Sequence, residues 1–282
     1  MRSESRPYRP PQHGLVRIGR YFVLLLVTLV MIGPLLWMLR VAFLPTGSPV
    51  ALPALLTSLF SIDNFLNLLN NAEIIQALSN SLLVGVFVTV ANILFCFLAG
   101  YALARRRVIG GRVIFASLML TLMLPAHALI IPLYLMMTSL GMFDSLWALT
   151  LPFLVTPFGI FLMRQYFASI PESLEEAARI DGASEFRILF RILMPLCRPA
   201  LAVLAIQIFL TNWNSFLYPF ILTNSSNLRT LPVALALLQG YQAIDWQRLM
   251  AGSTLAVAPV MIIFIIFQRQ IVAGVTAGAI KQ

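Results

Sequence analysis

Six long apolar runs dominate the chain: roughly Tyr21–Phe43, Ser81–Ala104, Val113–Met137, Leu146–Met163, Pro199–Leu222 and Met250–Phe267. Each is close to the ~20 apolar residues that a helix needs to cross a ~30 Å hydrocarbon layer. The runs are continuously apolar, whereas the strands of a membrane barrel would alternate apolar and polar residues. A lipid-facing backbone must satisfy its own hydrogen bonds, which leaves the α-helix. The pattern predicts an all-α integral membrane protein with six transmembrane helices.

The charges give the runs a direction. Arg2, Arg6, Arg9, Arg17 and Arg20 precede the first run, and Arg105, Arg106, Arg107 and Arg112 separate the second from the third. Arg164, Arg179, Arg187, Arg191 and Arg198 separate the fourth from the fifth, and Arg269 and Lys281 follow the sixth. If the runs alternate in direction, sixteen of the nineteen basic residues fall on one side. Only Arg229, Arg248 and Arg40 remain for the other, Arg40 snorkelling from the outer end of the first span. Basic residues collect on the cytoplasmic side, so both termini are predicted to lie in the cytoplasm.

Composition agrees. Of 282 residues, 60% are hydrophobic and 10% charged, with mean hydropathy +0.91; soluble domains carry about 25% charged residues. The net charge of +9 would suggest nucleic acid in a soluble protein, but the loop asymmetry accounts for it, and no nucleic-acid partner is expected. The first run is longer than a signal-peptide core and no small-x-small site follows it, so it reads as a retained span. Cys96 and Cys197 are too few and too separated for a disulfide framework or metal site, and read as reduced structural thiols. The organisation predicted is a cytoplasmic segment over 1–20 and a single transmembrane domain over 21–282, with a cytoplasmic loop over 164–198. Two external segments, Leu44–Asn80 and Thr223–Leu249, are long enough to lie on the membrane or meet an external partner.

The 164–198 loop is the most charged part of the chain. Pro171 suits a first helical turn, and Glu172, Glu175 and Glu176 lie toward its positive end. Ala177 and Ala178 favour helix, and Gly182 fits a C-terminal stop. Ser184 is placed to cap a second helix running through Arg187 and Arg191 and ending by Pro195. The loop is thus predicted to be a helix–turn–helix on the inner membrane face. It presents Leu174, Ala178 and small residues flanked by charge, a surface suited to docking in a groove on another protein.

Glu176-Ala177-Ala178, three residues, Gly182, nine residues and Ile192-Leu193-Met194-Pro195 resemble the EAA loop of ABC-importer permeases, with Met194 where Leu is usual. Leu124-Pro125, Ile131-Pro132-Leu133-Tyr134, Asn212-Trp213-Asn214 and Gly274–Lys281 resemble the carbohydrate branch of that family, in particular the smaller permease of the maltose importer and the glycerol-3-phosphate, trehalose and multiple-sugar permeases. The resemblance implies a type I importer permease in the bacterial cytoplasmic (inner) membrane. It further implies a second permease subunit, two copies of an ATPase subunit and an extracytoplasmic solute-binding protein. Glu175, Glu176, Ala177, Ala178, Asp181, Gly182, Ile192 and Pro195 would form the ATPase-coupling element. The chain has no G-x-x-x-x-G-K-[ST] motif, so ATP and Mg would sit on the partner ATPase. No catalytic residue, cofactor or metal ligand is expected in this chain.

Polar residues inside spans mark either a pathway or interhelical contacts. Thr89 and Asn92 share a face of the second span. Gln207, Thr211, Asn214 and Ser215 recur at helical spacing in the fifth, with Asn212 beside them. These seven are the candidate solute pathway, with Trp213, Phe216 and Tyr218 available for stacking on a sugar. Thr121 and His127 flank Pro125 in the third run, where His127 reads as a hydrogen bonder at a kink. An intramembrane enzyme is disfavoured because no H-E-x-x-H or G-x-S-x-G occurs. An ion-coupled transporter would place ionisable groups within spans; a permease for another solute class stays open.

Overall fold

A computed structural model gives the fold and describes residues 14–238 and 244–279. Residues 1–13 of the expected N-terminal segment, 239–243 of the second external segment, and Ile280 and Lys281 lie outside the described residues. Among the described residues every regular element is helical. The chain forms two compact units: Met1–Leu66 with Asp245–Thr254, and Asn67–Ile244 with Leu255–Gln282.

In the first unit, α1 (Gly14–Ala42) exposes apolar side chains all round from Ile18 to Leu39. A helix apolar on every face is one solvated by lipid or buried in a larger assembly. Its end is pinned by side chains. Asn64, fully buried, donates through Nδ2 to the carbonyls of Ala42 (2.9 Å) and Leu44 (2.7 Å), satisfying acceptors that a helix terminus leaves open. Arg40 does not simply snorkel. Its Nε donates to the Leu55 carbonyl (2.6 Å) and Nη2 to that of Ser58 (2.7 Å), and its guanidinium sits 4.6 Å from the Phe60 ring centroid. Arg40 therefore ties α2 (Leu52–Thr57) back to α1. Beyond it, α3 (Asp63–Leu69) leads toward the second unit.

The second unit is organised on α4 (Ala72–Arg105), 34 residues and about 50 Å long at 1.5 Å per residue. It starts nine residues before the apolar run because Asn71 caps it, accepting from the amides of Glu73 (3.0 Å) and Ile74 (3.3 Å). Against it packs α8 (Pro157–Ser169), which opens with Pro157 and a Thr156 cap. The crossing depends on one glycine from each helix. A Cβ on Gly100 would lie 2.6 Å from that of Met163, and one on Gly159 would lie 2.6 Å from Cys96 Sγ. Small residues let helix backbones approach closely in a membrane, where dispersion contacts drive association.

Six spans were expected; the observed helices are more broken. Among the described residues, four helices are long and apolar enough to cross a membrane: Arg17–Ala42, Ala72–Arg105, Leu146–Ser169 and Trp246–Gln268. The pair Glu185–Leu196 and Arg198–Trp213, bent by 76°, makes a fifth if taken as one span. The third run instead divides into α5 (Gly111–Thr121), a 3-10 turn Ala126–Leu129 and α6 (Ile130–Ser139). Pro125 stands at the break with extended ψ of 123°; it has no amide to donate and excludes helix from the residue before it. The fourth run is α7 (Leu146–Thr150), a short 3-10 turn and α8. In the fifth, α11 (Arg198–Trp213) stops at Asn214, and α12 (Leu217–Leu222) follows. Then come α13 (Leu231–Leu237) and α14 (Trp246–Ala279), whose Ala256 carbonyl accepts from Trp213 Nε1 at 3.0 Å.

The glycine crossing makes a measurable prediction. Gly100→Val overpacks the α4–α8 contact and is expected to cost at least about 1–3 kcal/mol. Gly33→Ala, where a Cβ meets nothing within 4 Å, leaves stability unchanged or slightly raised. Thermal unfolding of the two variants in mild detergent checks the difference, and equal midpoints would refute close packing at Gly100.

Candidate functional site

The loop expected to be a helix–turn–helix is one. The first helix, α9 (Ser173–Ile180), begins just after Pro171 rather than on it, because Ile170 before the proline is extended as such residues prefer. Gly182 ends it at φ +77°; its amide donates to the Arg179 carbonyl (3.0 Å) and that of Ala183 to Ala178 (2.9 Å), the paired bonds of a Schellman stop. Ser184 caps α10 (Glu185–Leu196), accepting from the Arg187 amide at 3.4 Å. The middle of α10, Ile188–Leu193, is a π-helix. Pro195 would clash with the Arg191 carbonyl in a regular α-turn, and the wider turn relieves this.

A charged cluster fastens α9 to the end of α4. Arg105 Nε donates to Glu175 Oε1 (2.8 Å), Nη1 to Glu172 Oε1 (3.3 Å) and Nη2 to the Ile170 carbonyl. Arg105 and Glu175 side chains are 7% and 3% exposed, so the pair is nearly out of water. The Tyr101 hydroxyl, one turn back on α4, donates to Glu175 Oε2 (3.3 Å), and Arg179 Nη2 reaches the same oxygen (3.3 Å). Glu185 accepts from Arg179 Nε (2.8 Å) and from Arg106. The hydrogen bond from Arg179 is the main cause holding the Glu185 carboxyl below its ordinary value; desolvation opposes it, and the charges of Arg106 and Arg179 add to it. Arg179 is raised in turn, chiefly by the same bond.

This cluster sorts the eight predicted coupling residues. Glu175 and Ala178, one turn apart, face inward and are buried, so neither reaches the outer surface on which Ala178 was expected. Ile192 and Pro195 are half-buried in α10. Glu176, Ala177, Asp181 and Gly182 are exposed, with Leu174, Ile180 (87%) and Phe186 (71%) beside them. Tyr101, Arg105, Arg106, Arg179 and Glu185 were not among the predicted site residues. The available signal was Tyr101 and Arg105 at i and i+4, ending an apolar run at three consecutive arginines.

The seven pathway candidates also divide. Asn92 is fully buried and donates through Nδ2 to the Phe153 carbonyl (2.9 Å), while its Oδ1 meets Cys96 Sγ (3.2 Å). Thr89 donates to the Gly85 carbonyl within its own helix (2.6 Å). Both belong to helix packing, since a buried amide or hydroxyl in a span must take a protein partner. Gln207, Thr211 and Asn214 are exposed at i, i+4 and i+7 on one face. Asn212 donates to the Ile208 carbonyl (2.9 Å); with Ser215 it lines a narrow crevice beside Ser81, Phe153 and Tyr218. Trp213 is buried, whereas Phe216 and Phe220 are exposed and stacked, centroids 5.2 Å apart. The Thr121 hydroxyl donates to the Leu118 carbonyl, and the exposed His127 makes no side-chain hydrogen bond among the described residues.

Asp144 (φ +54°) accepts from the amides of Asn224 (2.8 Å) and Ser225 (2.9 Å) and from the Ser225 hydroxyl (2.5 Å). These bonds, the hydroxyl first, hold its carboxyl below the ordinary value.

A multi-pass helical membrane protein with a surface helix locked to a span has the build of a transport permease. Residues 96–277 match the family described as binding-protein-dependent transport system inner membrane component, and the chain belongs to it. It is 33% identical over 275 residues to the arabinooligosaccharides transport system permease protein AraQ of Bacillus subtilis (strain 168), covering 96% of this chain and 98% of that one. It is 33% identical over 267 residues to the trehalose/maltose transport system permease protein MalG of Thermococcus litoralis, covering 91% and 94%. The fold is similar to a chain in the crystal structure of a bacterial ABC transporter involved in the import of the acidic polysaccharide alginate, with TM-score 0.81, 24% identity and coverage of 94% and 99%.

Two measurements test the cluster. Glu175→Ala takes from buried Arg105 its nearest carboxylate and its only buried one, a loss of about 3–5 kcal/mol, whereas exposed Glu176→Ala changes stability by less than about 0.5 kcal/mol. Equal thermal midpoints would remove Glu175 as the anchor. Because Glu185 and Asp144 are depressed when folded, their bonds contribute in full above the ordinary carboxylate value and are lost as pH falls through the folded one. The midpoint is therefore expected to hold from pH 7 to about 5 and fall below about pH 4, less steeply in Glu185→Gln.

Proposed function

We propose that this chain is a permease subunit of an ATP-driven, binding-protein-dependent importer whose solute is a sugar or sugar-like molecule. The observation that carries the coupling role is the short α9, anchored inward by Glu175 and presenting Glu176, Ala177 and Asp181 outward. Small and apolar residues on a rigidly held helix suit a cleft on an ATPase, which would bind ATP and Mg. Two such ATPase subunits serve a pair of permeases, of which this chain is one, and an extracytoplasmic binding protein delivers the solute. Movement of α9 would pass directly to α4 through Arg105 and Tyr101, a rigid-body transfer between two states.

The chain crosses the bacterial inner membrane six times in this reading, the third crossing being the broken pair α5 and α6. Both termini are cytoplasmic, residues 1–20 precede the membrane domain, and 164–198 is the coupling loop. Relatives named for arabinooligosaccharide and trehalose/maltose transport support the sugar class. So does the exposed face of Gln207, Thr211 and Asn214 with the stacked rings of Phe216 and Phe220: amides and hydroxyls exchange hydrogen bonds with a sugar, and ring faces cover its apolar side.

Tagged purification from native membranes in mild detergent tests the assignment. An ATPase and a second permease are expected to copurify. Glu176→Arg is expected to release the ATPase at least tenfold while keeping the second permease, since a charge misplaced at a buried contact costs about 2 kcal/mol or more. A chain that purifies alone and transports without ATP overturns the reading.

A further inference from the structure

Four arginines, three of them outside the coupling cluster, gather around one cavity. Between the end of α4 and the start of α5, Arg106, Arg107, Arg112 and Arg164 line a space of about 340 Å³ with Leu103 and Phe115. Arg106 is engaged by Glu185, but among the described residues no ion pair involves Arg107, Arg112 or Arg164. Arg164 is held from below, its guanidinium 3.9 Å from the Phe115 ring centroid, an arrangement that fixes a cation while leaving its N–H groups free. Gly110, in the left-handed region at φ +72°, caps α5 without a side-chain hydrogen bond, so the positive end of that helix closes the same cavity. Three guanidiniums with no acid partner among the described residues, gathered around one cavity, make a place suited to an anion.

The loop that bounds the cavity indicates which anion. Ile109, at its tip, is 97% exposed, and Val108, Val113 and Ile114 beside it are exposed as well. Apolar side chains next to a ring of arginines match the boundary between acyl chains and headgroups, where basic residues meet lipid phosphates. A free anion in water would not need the apolar rim. We propose that this cavity holds the phosphate of an anionic phospholipid, with Arg107, Arg112 and Arg164 on the phosphate and Val108 and Ile109 among the acyl chains. Its placement in the inner leaflet rests on the cytoplasmic reading of the 105–112 loop given above.

The complex copurified with the full chain, loaded into nanodiscs of phosphatidylcholine with phosphatidylglycerol and analysed by native mass spectrometry, tests this. The wild type is expected to retain phosphatidylglycerol over phosphatidylcholine. Arg107→Gln with Arg112→Gln removes two charges near the lipid surface and is expected to weaken that retention about 30-fold. Ile109→Asp, at a fully exposed tip, cannot disturb packing and is expected to weaken it as well. Retention unchanged in both variants overturns the site, and displacement of the lipid by millimolar inorganic phosphate shows a free-anion site instead. The ATPase is counted in the same spectra, so a wild type that keeps the ATPase but does not retain phosphatidylglycerol defeats this inference alone, and absence of the ATPase from the wild type defeats the importer reading.

Discussion

The nearly water-free pair of Arg105 and Glu175 sets the position of the surface helix α9 against α4. Two charges removed from water repel folding unless their remaining hydrogen-bonding positions are filled. Here they are filled from three directions: by the Ile170 carbonyl on the guanidinium, and by Tyr101 and Arg179 on the second carboxylate oxygen. The geometry is therefore restrictive. These bonds hold α9 against the last turn of α4.

That arrangement depends on the helix crossing beneath it. Gly100 and Gly159 bring α4 and α8 close enough that the exit of α8 at Ser169 lies beside Arg105. A bulkier crossing would move Ile170 and Glu172 away from the guanidinium and leave it desolvated without partners. Close packing inside the span and the polar lock outside it are therefore one construction. The lock is short-range and the crossing rigid, so a force on α9 has no soft element between it and the long helix.

Sequence pattern predicted the helical class, the apolar runs, the turn at Gly182 and the Ser184 cap, because each rests on local chemistry. It failed where distant residues decide. Glu175 and Glu176 are adjacent acids in one helix, and only the fold shows that the first meets an arginine 70 positions earlier while the second meets solvent. Ala178 was expected outward because it is small; it is inward for the same reason, since Ala178 and Glu175 share the face that approaches α4. Asn92 and Asn214 likewise look equivalent as polar residues in apolar runs, yet one bridges two helices and the other is exposed. The third run was legible as apolar, but the break at Pro125 was read as a kink and is wide enough to divide the helix in two.

The positive excess of the chain separates into two populations with different physics. Arg105, Arg106 and Arg179 are matched by Glu172, Glu175 and Glu185, so their charge is consumed internally and adds little to any external field. Arg107 and Arg112 stand a few positions from Arg105 and Arg106 in sequence, and with Arg164 they make no ion pair among the described residues. A count of basic residues treats the two groups alike, and orientation rules need no more than the count. Their separation in space lets one short stretch at the end of α4 both hold the surface helix and leave Arg107 and Arg112 outside any ion pair among the described residues. The first group holds in place the helix proposed to meet an ATPase, and the second is left to meet the proposed lipid phosphate.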